Sequence, residues 1–533
     1  MDIILQFMTK SAILFAIIFF RRFFMNYFTL GVIVAYLLMM VVIGILFSKK
    51  STNASGYFLG DRKLGPFVTA MSAEASDMSS WLLMGLPGVA LAAGLAEASW
   101  TAIGLGVGTY INWLFVAKRI RVYSQKVDAV TIPEFFSKRF GDKSGMLSVI
   151  SALVIVIFFI PYTASGFNAC GTLFNALSGG EIPYFTAMVV SAIVIVAYTA
   201  LGGFLAASTT DFIQSIVMSL ALIVVVVCGI NYAGGWENVV SNAQSMPSYL
   251  EMFTTYDYTT GGTKDYGALT VISTLAWGLG YFGMPHILLR FMAIEDKSKL
   301  KLSRRIGTVW VFIAMAVAIV IGVIGSGMIA NGAVSITPAD GQRIIVEVAK
   351  VMSSNGVVLA VFAGLILSGI LASTMSTSDS QLLAASSSIS QDLFVNVLKL
   401  KIDNKKSLLI SRLTIVVIAI IAVFWARKEN SVFTIVSFAW AGFGAAFGPV
   451  ILAGLFFKRT TKWGALAGMV VGGAMVFIWK YGISKLGGVF AIYELLPAFV
   501  CALIAIIVVS LLTKNKDKEI EETFDAVKKE LNA

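Results

Sequence analysis

The sequence predicts an all-α, polytopic membrane protein, and three observations carry that prediction. Hydrophobic residues make up 58% of the 533-residue chain and charged residues only 13%, far from the composition of soluble domains. Apolar runs of about 18 or more residues recur along the whole chain, each long enough to cross a hydrocarbon layer of about 30 Å as a helix. The basic residues behind the net charge of +11 gather in short clusters between those runs, where orientation in a membrane explains them and a nucleic-acid partner is not needed.

In chain order, residues 1–24 read as an N-terminal extension. Their apolar run at 11–20, followed by Arg21 and Arg22, is too short to span and lacks a small-residue cleavage site, and Met25 offers a second start. Residues 25–513 read as one membrane domain. Its spans fall near 28–47, 67–92, 97–117, 146–173, 183–200, 211–232, 268–291, 305–330, 356–388, 407–427, 431–456, 461–483 and 489–512, about thirteen in all. Lys and Arg concentrate in alternate connections, with Lys49, Lys50, Arg62 and Lys63 in the first, then 118–143, 297–305, 399–406 and 458–462. This asymmetry predicts an outside N-terminus and a cytoplasmic C-terminus.

Two connections and the tail have structure of their own to predict. Residues 118–143 mix basic side chains with Ile132, Phe135, Phe136 and Phe140 and read as a helix lying at the cytoplasmic interface. Residues 232–265 are polar, aromatic and glycine-containing, and read as an external loop. Residues 514–533 alternate Lys with Asp and Glu and read as a solvated cytoplasmic tail helix. Cys170, Cys228 and Cys501 stand in apolar runs without C-x-x-C spacing, which predicts buried thiols and neither a disulfide framework nor a zinc site.

The chemistry begins in the second span, whose centre holds Glu74, Asp77 and the hydroxyls of Ser76, Ser79 and Ser80. A charge at mid-membrane costs at least about 2.5–3.5 kcal/mol, so Asp77 faces a partner, a cavity or an ion. The seventh span carries Trp277-Gly-Leu-Gly-Tyr-Phe-Gly-Met-Pro, five spans further on. Two interrupted helices at corresponding places point to a transport site near the bilayer midplane, because freed backbone groups survive there only when buried in protein or lining a cavity. In the ninth span Ser373, Ser376, Thr377 and Ser380 follow i, i+3, i+4, i+7 spacing and share one helix face, with Asp379 beside them. Hydroxyl and carbonyl oxygens are hard donors suited to a small alkali cation, although small residues at this spacing also serve plain interhelical packing.

Enzymatic readings fail on the same residues. The glycine runs at 104–108 and 442–444 lack the Lys-Ser/Thr or strand-turn-helix context of a phosphate loop. His286 is the only histidine and lies in an apolar span, which leaves no Ser-His-Asp triad. The chain therefore reads as no enzyme, powered by an ion gradient.

These motifs resemble the sodium:solute symporter family, most closely its bacterial sodium/proline symporters. The resemblance rests on Tyr57-Phe-Leu-Gly-Asp-Arg-Lys-Leu-Gly-Pro, Ala75-Ser-Asp-Met-Ser, Trp81-Leu-Leu-Met-Gly-Leu-Pro-Gly, Tyr198-Thr-Ala-Leu-Gly-Gly-Phe, the Trp277 motif and Phe438-Ala-Trp-Ala-Gly-Phe-Gly. It implies thirteen helices around a LeuT-like core of two inverted five-helix repeats, working as a multi-pass transporter in the cell membrane. It also implies sodium-coupled symport of L-proline into the cell by alternating access. The alternatives are sodium symport of another amino acid, pantothenate or a sugar acid, and a solute-gated channel or sensor.

By the same resemblance, sodium is held by the carbonyls of Ala75, Met78 and Ser373 and the hydroxyls of Ser376 and Thr377, with Asp77 supporting coupling. The solute falls to Ser79, Ser80, Tyr162, Trp277, Tyr281 and Pro285, and Arg62 to gating. Asp211, Asp379 and Ser380 are candidates for a second cation site. Glu74, Ser80 and Met284 depart from the pattern of the bacterial proline symporters, and no obligatory protein partner is implied.

Overall fold

Proline and glycine punctuation divides long apolar helices into the pieces that build the centre of this molecule. A computed structural model describes residues 27–48, 54–400, 404–514 and 517–532. The expected N-terminal extension 1–24, and Lys49, Lys50 and Lys401 of the basic connections, lie outside them. The chain opens with α1 (Tyr27–Ser48) and the short α2 (Ala54–Leu59). Helix α3 (Pro66–Asp77) starts with proline in its first turn after an extended Gly65, where the missing N–H costs nothing. It stops at Met78, whose φ −75° and ψ 68° leave the helical region, and the chain resumes as a wide turn, Trp81–Gly85, leading into α4 (Leu86–Ala93).

Helix α5 (Leu95–Ile111) continues through Asn112–Val116 into α6 (Ala117–Lys126). The next helix, α7 (Ile132–Phe140), begins with a side-chain cap related to a capping box. Thr131 accepts from the Glu134 N–H at 3.1 Å while the Glu134 carboxylate accepts from the Val130 N–H at 2.8 Å, and Gly141 in the left-handed region ends it. Residues 118–143 are thus not one interfacial helix. Their first part extends a membrane-crossing helix, and Ile132, Phe135, Phe136 and Phe140 are buried in protein, with Phe136 packed on Phe447 at 5.4 Å.

Helix α8 (Met146–Leu177) is followed by α9 (Tyr184–Tyr232), two helices joined at Gly203, where φ 66° and ψ −173° interrupt the spiral. The segment expected as an external loop holds α10 (Trp236–Ser245) and a hairpin of β1 (Thr254–Asp257) and β2 (Gly262–Asp265), antiparallel with Thr254 opposite Asp265. Then come α11 (Ala268–Leu275), a tight 3₁₀ stretch Ala276–Gly283, α12 (Pro285–Ala293) and α13 (Leu300–Ala330). The remaining helices are α14 (Ile344–Ser353), α15 (Val357–Ser387), α16 (Asn404–Trp425), α17 (Val432–Phe456), α18 (Lys462–Tyr481), α19 (Leu495–Leu512) and α20 (Lys518–Asn532).

Among the described residues, ten helices are long and apolar enough to cross a membrane. The expected spans at 67–92, 183–200 and 268–291 contain only shorter apolar helices, Trp81–Ala93, Tyr184–Ala200 and Ala268–Gly283. Length and composition support ten unbroken crossings and leave the expected count of thirteen unconfirmed, two of the three short cases being the interrupted helices. The outer faces stay apolar, with Val227 64% and Phe424 61% exposed, as a hydrocarbon solvent requires. Helices α3, α9, α12 and α15 pack against one another at the centre. Cys170 is buried, whereas Cys228 and Cys501 are half-buried.

Candidate functional site

Breaking α3 frees backbone carbonyls that must find partners in a dry interior. The Asp77 carbonyl accepts from the Trp81 indole at 3.2 Å and from the Tyr162 hydroxyl at 3.4 Å. The Asp77 carboxylate is fully buried and accepts the Tyr281 hydroxyl at 2.5 Å; its other oxygen has no partner, and no ion pair reaches it, among the described residues. Asp77 thereby joins the interrupted second span, the eighth helix and the interrupted seventh span at one point.

The hydroxyl face of α15 lies against this break. Ser376 donates to the Ala75 carbonyl at 2.8 Å and, more weakly, to the Ser373 carbonyl at 3.2 Å, which Thr377 also reaches at 3.2 Å. The structure thus brings Ala75, Ser373, Ser376 and Thr377 together, and Met78 sits in the break three residues beyond Ala75. All five are at most 2% exposed. A hydroxyl that turns its proton away and two converging carbonyls offer the hard oxygen donors that an alkali cation takes.

The solute candidates form the neighbouring wall. The 3₁₀ stretch ends at an extended Met284, and Pro285 opens α12. Its freed carbonyls are met by side chains: Trp440 donates to Trp277 at 2.7 Å and Asn112 to Tyr281 at 3.0 Å. Trp277 stacks on Tyr493 at 5.2 Å and flanks Trp81 at 6.4 Å. Gly280 is required here, because a Cβ at that position would overlap the Trp440 indole. Ser79 accepts weakly from the Trp81 N–H, at 3.4 Å, and the Ser80 hydroxyl has no partner among the described residues. Ser79, Ser80, Tyr162, Trp277 and Tyr281 are at most 4% exposed, so this wall is sealed from solvent.

Asp211, Asp379 and Ser380 also meet, but around a positive charge that the sequence reading did not place there. Arg290, on α12, lies 3.1 Å from Asp211 and donates to Ser380 at 2.5 Å and to Ser72 at 3.0 Å. Ser72 in turn donates to Asp211 at 2.6 Å, and Asp379 accepts from Ser380 and from Tyr198, both at 3.1 Å. Arg290 lies just beyond the Trp277 motif, and its signal in the sequence is a charge five residues after Pro285 in an otherwise apolar helix.

Arg62 stands apart from both clusters. It takes φ 55°, follows Asp61 at φ 50°, and donates to the carbonyls of Ala129 (2.6 Å), Met292 (2.7 Å) and Ser124 (3.1 Å) and to the Ser124 hydroxyl (3.1 Å). It ties the turn after α6 to the end of α12. Glu74 points away from the Asp77 junction and accepts from the Trp113 indole at 2.7 Å and the Thr109 hydroxyl at 3.3 Å. Sequence reasoning missed Trp113, Asn112 and Trp440, whose polar atoms serve interrupted segments far away in the chain, and Tyr493, whose ring stacks on Trp277 while its hydroxyl donates to the Ser437 carbonyl. His286 packs beside Phe159 and Tyr162.

The family model described as the sodium:solute symporter family matches residues 57–472 of this chain. The osmoregulated proline transporter OpuE of Bacillus subtilis (strain 168) is 41% identical over 498 residues, covering 93% of this chain and 96% of that protein. The sodium/proline symporter of Haemophilus influenzae is 42% identical over 503 residues, covering 93% and 96%. A solved structure of a Na+-coupled sialic acid symporter in a substrate-bound outward-open state superposes with a TM-score of 0.72 at 19% identity, over 91% of this chain and 98% of that one. A nucleobase-cation-symport-1 family transporter superposes with a TM-score of 0.53 at 12% identity, over 89% and 98%. The two superpositions establish the shared, LeuT-type fold.

Proposed function

This chain belongs to the sodium:solute symporter family, a family of transporters and not of enzymes, and we propose on that basis that it carries L-proline into the cell together with sodium by alternating access. The names of its relatives support proline as the solute. The observation that carries the reading within the molecule is the junction at Asp77, where Tyr281 and Tyr162 from the solute wall meet the break whose preceding turn holds Ala75 against Ser376.

Sodium enters in this reading as co-transported substrate. It is held by the carbonyls of Ala75, Met78 and Ser373 and the hydroxyls of Ser376 and Thr377, with Asp77 supplying the buried negative charge nearby. Proline brings a carboxylate, a secondary ammonium and an apolar ring. The ring suits the aromatic cover of Trp277 and Tyr281, and the hydroxyls of Ser79 and Ser80 and the first-turn N–H groups of α12 suit the carboxylate. Binding of one species reorganises the break and so pre-forms the place of the other, which is the coupling a symporter needs. Arg62, joining the turn after α6 to α12, acts as a gate on the basic side. That side faces the cytoplasm, with the N-terminus outside and the C-terminal helix inside.

One sodium moving down about 100 mV supplies roughly 2.3 kcal/mol, and a tenfold concentration ratio adds about 1.4 kcal/mol. Together these sustain a proline gradient of roughly a few hundredfold. Competition in membrane vesicles tests the solute: unlabelled L-proline abolishes sodium-driven uptake of labelled proline, and other amino acids, pantothenate and sugar acids leave it largely intact. Absence of any proline uptake contradicts the assignment.

A further inference from the structure

Trp277, which covers the ring of the solute in the reading above, is itself placed by other rings. Between centroids Phe433 lies 5.1 Å from it, Tyr493 5.2 Å, Trp81 6.4 Å and Trp440 6.5 Å, and of these four only Tyr493 is stacked, with 23° between the planes. We propose that Tyr493, on the connection between α18 and α19, is a positioning residue for the solute, which fixes the plane of Trp277 and so sets the size of ring that the site accepts. The inference rests on the proline reading and deepens it.

Tyr493 is held at both ends. Its backbone N–H donates to the Ser273 hydroxyl of α11 at 2.7 Å, and its own hydroxyl donates to the Ser437 carbonyl of α17 at 2.6 Å. Ser273 stands about one helical turn before Trp277, and Ser437 about one turn before Trp440, whose indole donates to the Trp277 carbonyl. The phenol thus bridges α11 and α17, and α17 places both the ring and the backbone of Trp277. Lys480 braces the same connection, pairing with Glu494 at 2.9 Å and lying 4.9 Å from the Phe438 ring centre. A tyrosine fixed at its N–H and at its hydroxyl has little torsional freedom left, so the indole stacked on it takes a fixed plane.

The two rings of the solute wall are therefore held from different sides. Tyr281 is fixed by its hydroxyl on the Asp77 carboxylate and by Trp440 edge-on at 5.1 Å. Trp277 is fixed by Tyr493, which is half-buried where Trp277 is sealed. An aromatic wall recognises a saturated ring by the room it leaves, and one methylene more or less in an apolar pocket changes binding about tenfold or more. A tilt of Trp277 changes that room and leaves the sodium donors on α3 and α15 where they are. Loss of Tyr493 is thus read in ring preference and in KM for proline, and not in sodium dependence.

Uptake of labelled L-proline into proteoliposomes containing the purified full chain, with competition by the smaller-ring L-azetidine-2-carboxylate and the larger-ring L-pipecolate, tests this. The wild type prefers proline to both. Tyr493→Leu, which keeps apolar bulk and removes the stack, is expected to raise KM for proline about two- to tenfold. It should also let pipecolate compete nearly as well as proline, while the maximal rate and the sodium half-saturation at saturating proline stay at the wild-type values. Tyr493→Phe, which keeps the ring, should retain the wild-type order of the three solutes. An unchanged KM and ring preference in Tyr493→Leu overturns the inference, and so does a fall in maximal rate with the preference intact, which a merely structural role would give. Should that variant fail to fold, Ser273→Ala, which releases only the Tyr493 N–H, decides it: a shift of preference towards pipecolate supports the inference and an unchanged preference overturns it. A wild type that takes up no proline overturns the solute reading and the inference together, whereas an unchanged preference in a variant that carries proline overturns the inference alone.

Discussion

At the scale of single residues, the Tyr281 hydroxyl is the one partner that the Asp77 carboxylate has among the described residues. Hydrogen bonds to a charged group contribute about 1.5–3 kcal/mol, so Tyr281→Phe is expected to raise the sodium concentration for half-maximal uptake roughly tenfold or more. An unchanged sodium dependence would separate Tyr281 from ion coupling. Glu74 has a different job. Its partners Trp113 and Thr109 lie on the helix beside α3, and Gly307 faces it from α13 with no side chain in the way. Glu74→Ala strands the Trp113 N–H in a buried place at a cost of about 1–3 kcal/mol. It should lower the melting temperature in detergent, while Glu74→Gln, which keeps a carbonyl acceptor, should stay near the wild type. Glu74 and Asp77 looked alike in sequence, three residues apart in one polar stretch. Their separation into a brace and a junction depends on partners from α5, the segment after it and the seventh span, which no local pattern encodes.

At the scale of elements, the interruptions at Met78–Ser80 and Gly283–Met284 were legible because glycine, proline and hydroxyl side chains mark a helix that cannot continue in lipid. What holds the broken ends was not legible, since Trp440 and Asn112 come from elsewhere in the chain. Gly280→Ala should abolish uptake while the protein still reaches the membrane, because the added carbon meets the Trp440 indole that caps the Trp277 carbonyl. The tail helix α20 was expected to be solvated, yet Ile520, Phe524 and Val527 form a stripe at i, i+4, i+7 packed towards α6 and α7, with Phe524 beside Tyr123 and under Arg139. Around it lie exposed pairs such as Lys458–Asp525 at 2.7 Å and Lys297–Glu530 at 2.8 Å. Exposed pairs contribute about 0–1 kcal/mol each. Hydrogen exchange of α20 should therefore accelerate more in Phe524→Ala than in Lys458→Ala. In the β1–β2 hairpin, the Lys264 ammonium, 2.8 Å away, and the Thr259 hydroxyl hold the Asp257 carboxyl well below the usual carboxylate range. A depressed carboxyl stabilises the hairpin fully above its unfolded pKa of about 4 and loses that contribution as pH falls through the lowered value. Hairpin amide protection is thus expected to be flat at neutral pH and to drop only in strong acid.

For the whole molecule, composition and the spacing of apolar runs carried the all-helical membrane class, and the polar centres of three spans carried the candidate site. The lengths of the individual helices were less legible, because an interrupted helix and a short one have the same apolar composition as a continuous one. The sealed surroundings of Ser79, Tyr162 and Tyr281 and the separate arginine-filled cluster required the packed structure. Both follow from one arrangement, in which interrupted helices place their freed groups against a hydroxyl-bearing helix and bury the site residues among the described residues. A channel built this way would have to open fully, whereas a symporter needs the sealed form as one stage of its cycle. The most direct test of that claim is labelled L-proline uptake into proteoliposomes containing the purified chain, with and without an inward sodium gradient. The account predicts accumulation above the external concentration only with the gradient, collapsing to equilibration when sodium is equal on both sides. Uptake that is the same with and without sodium, or that never exceeds equilibration, would contradict it.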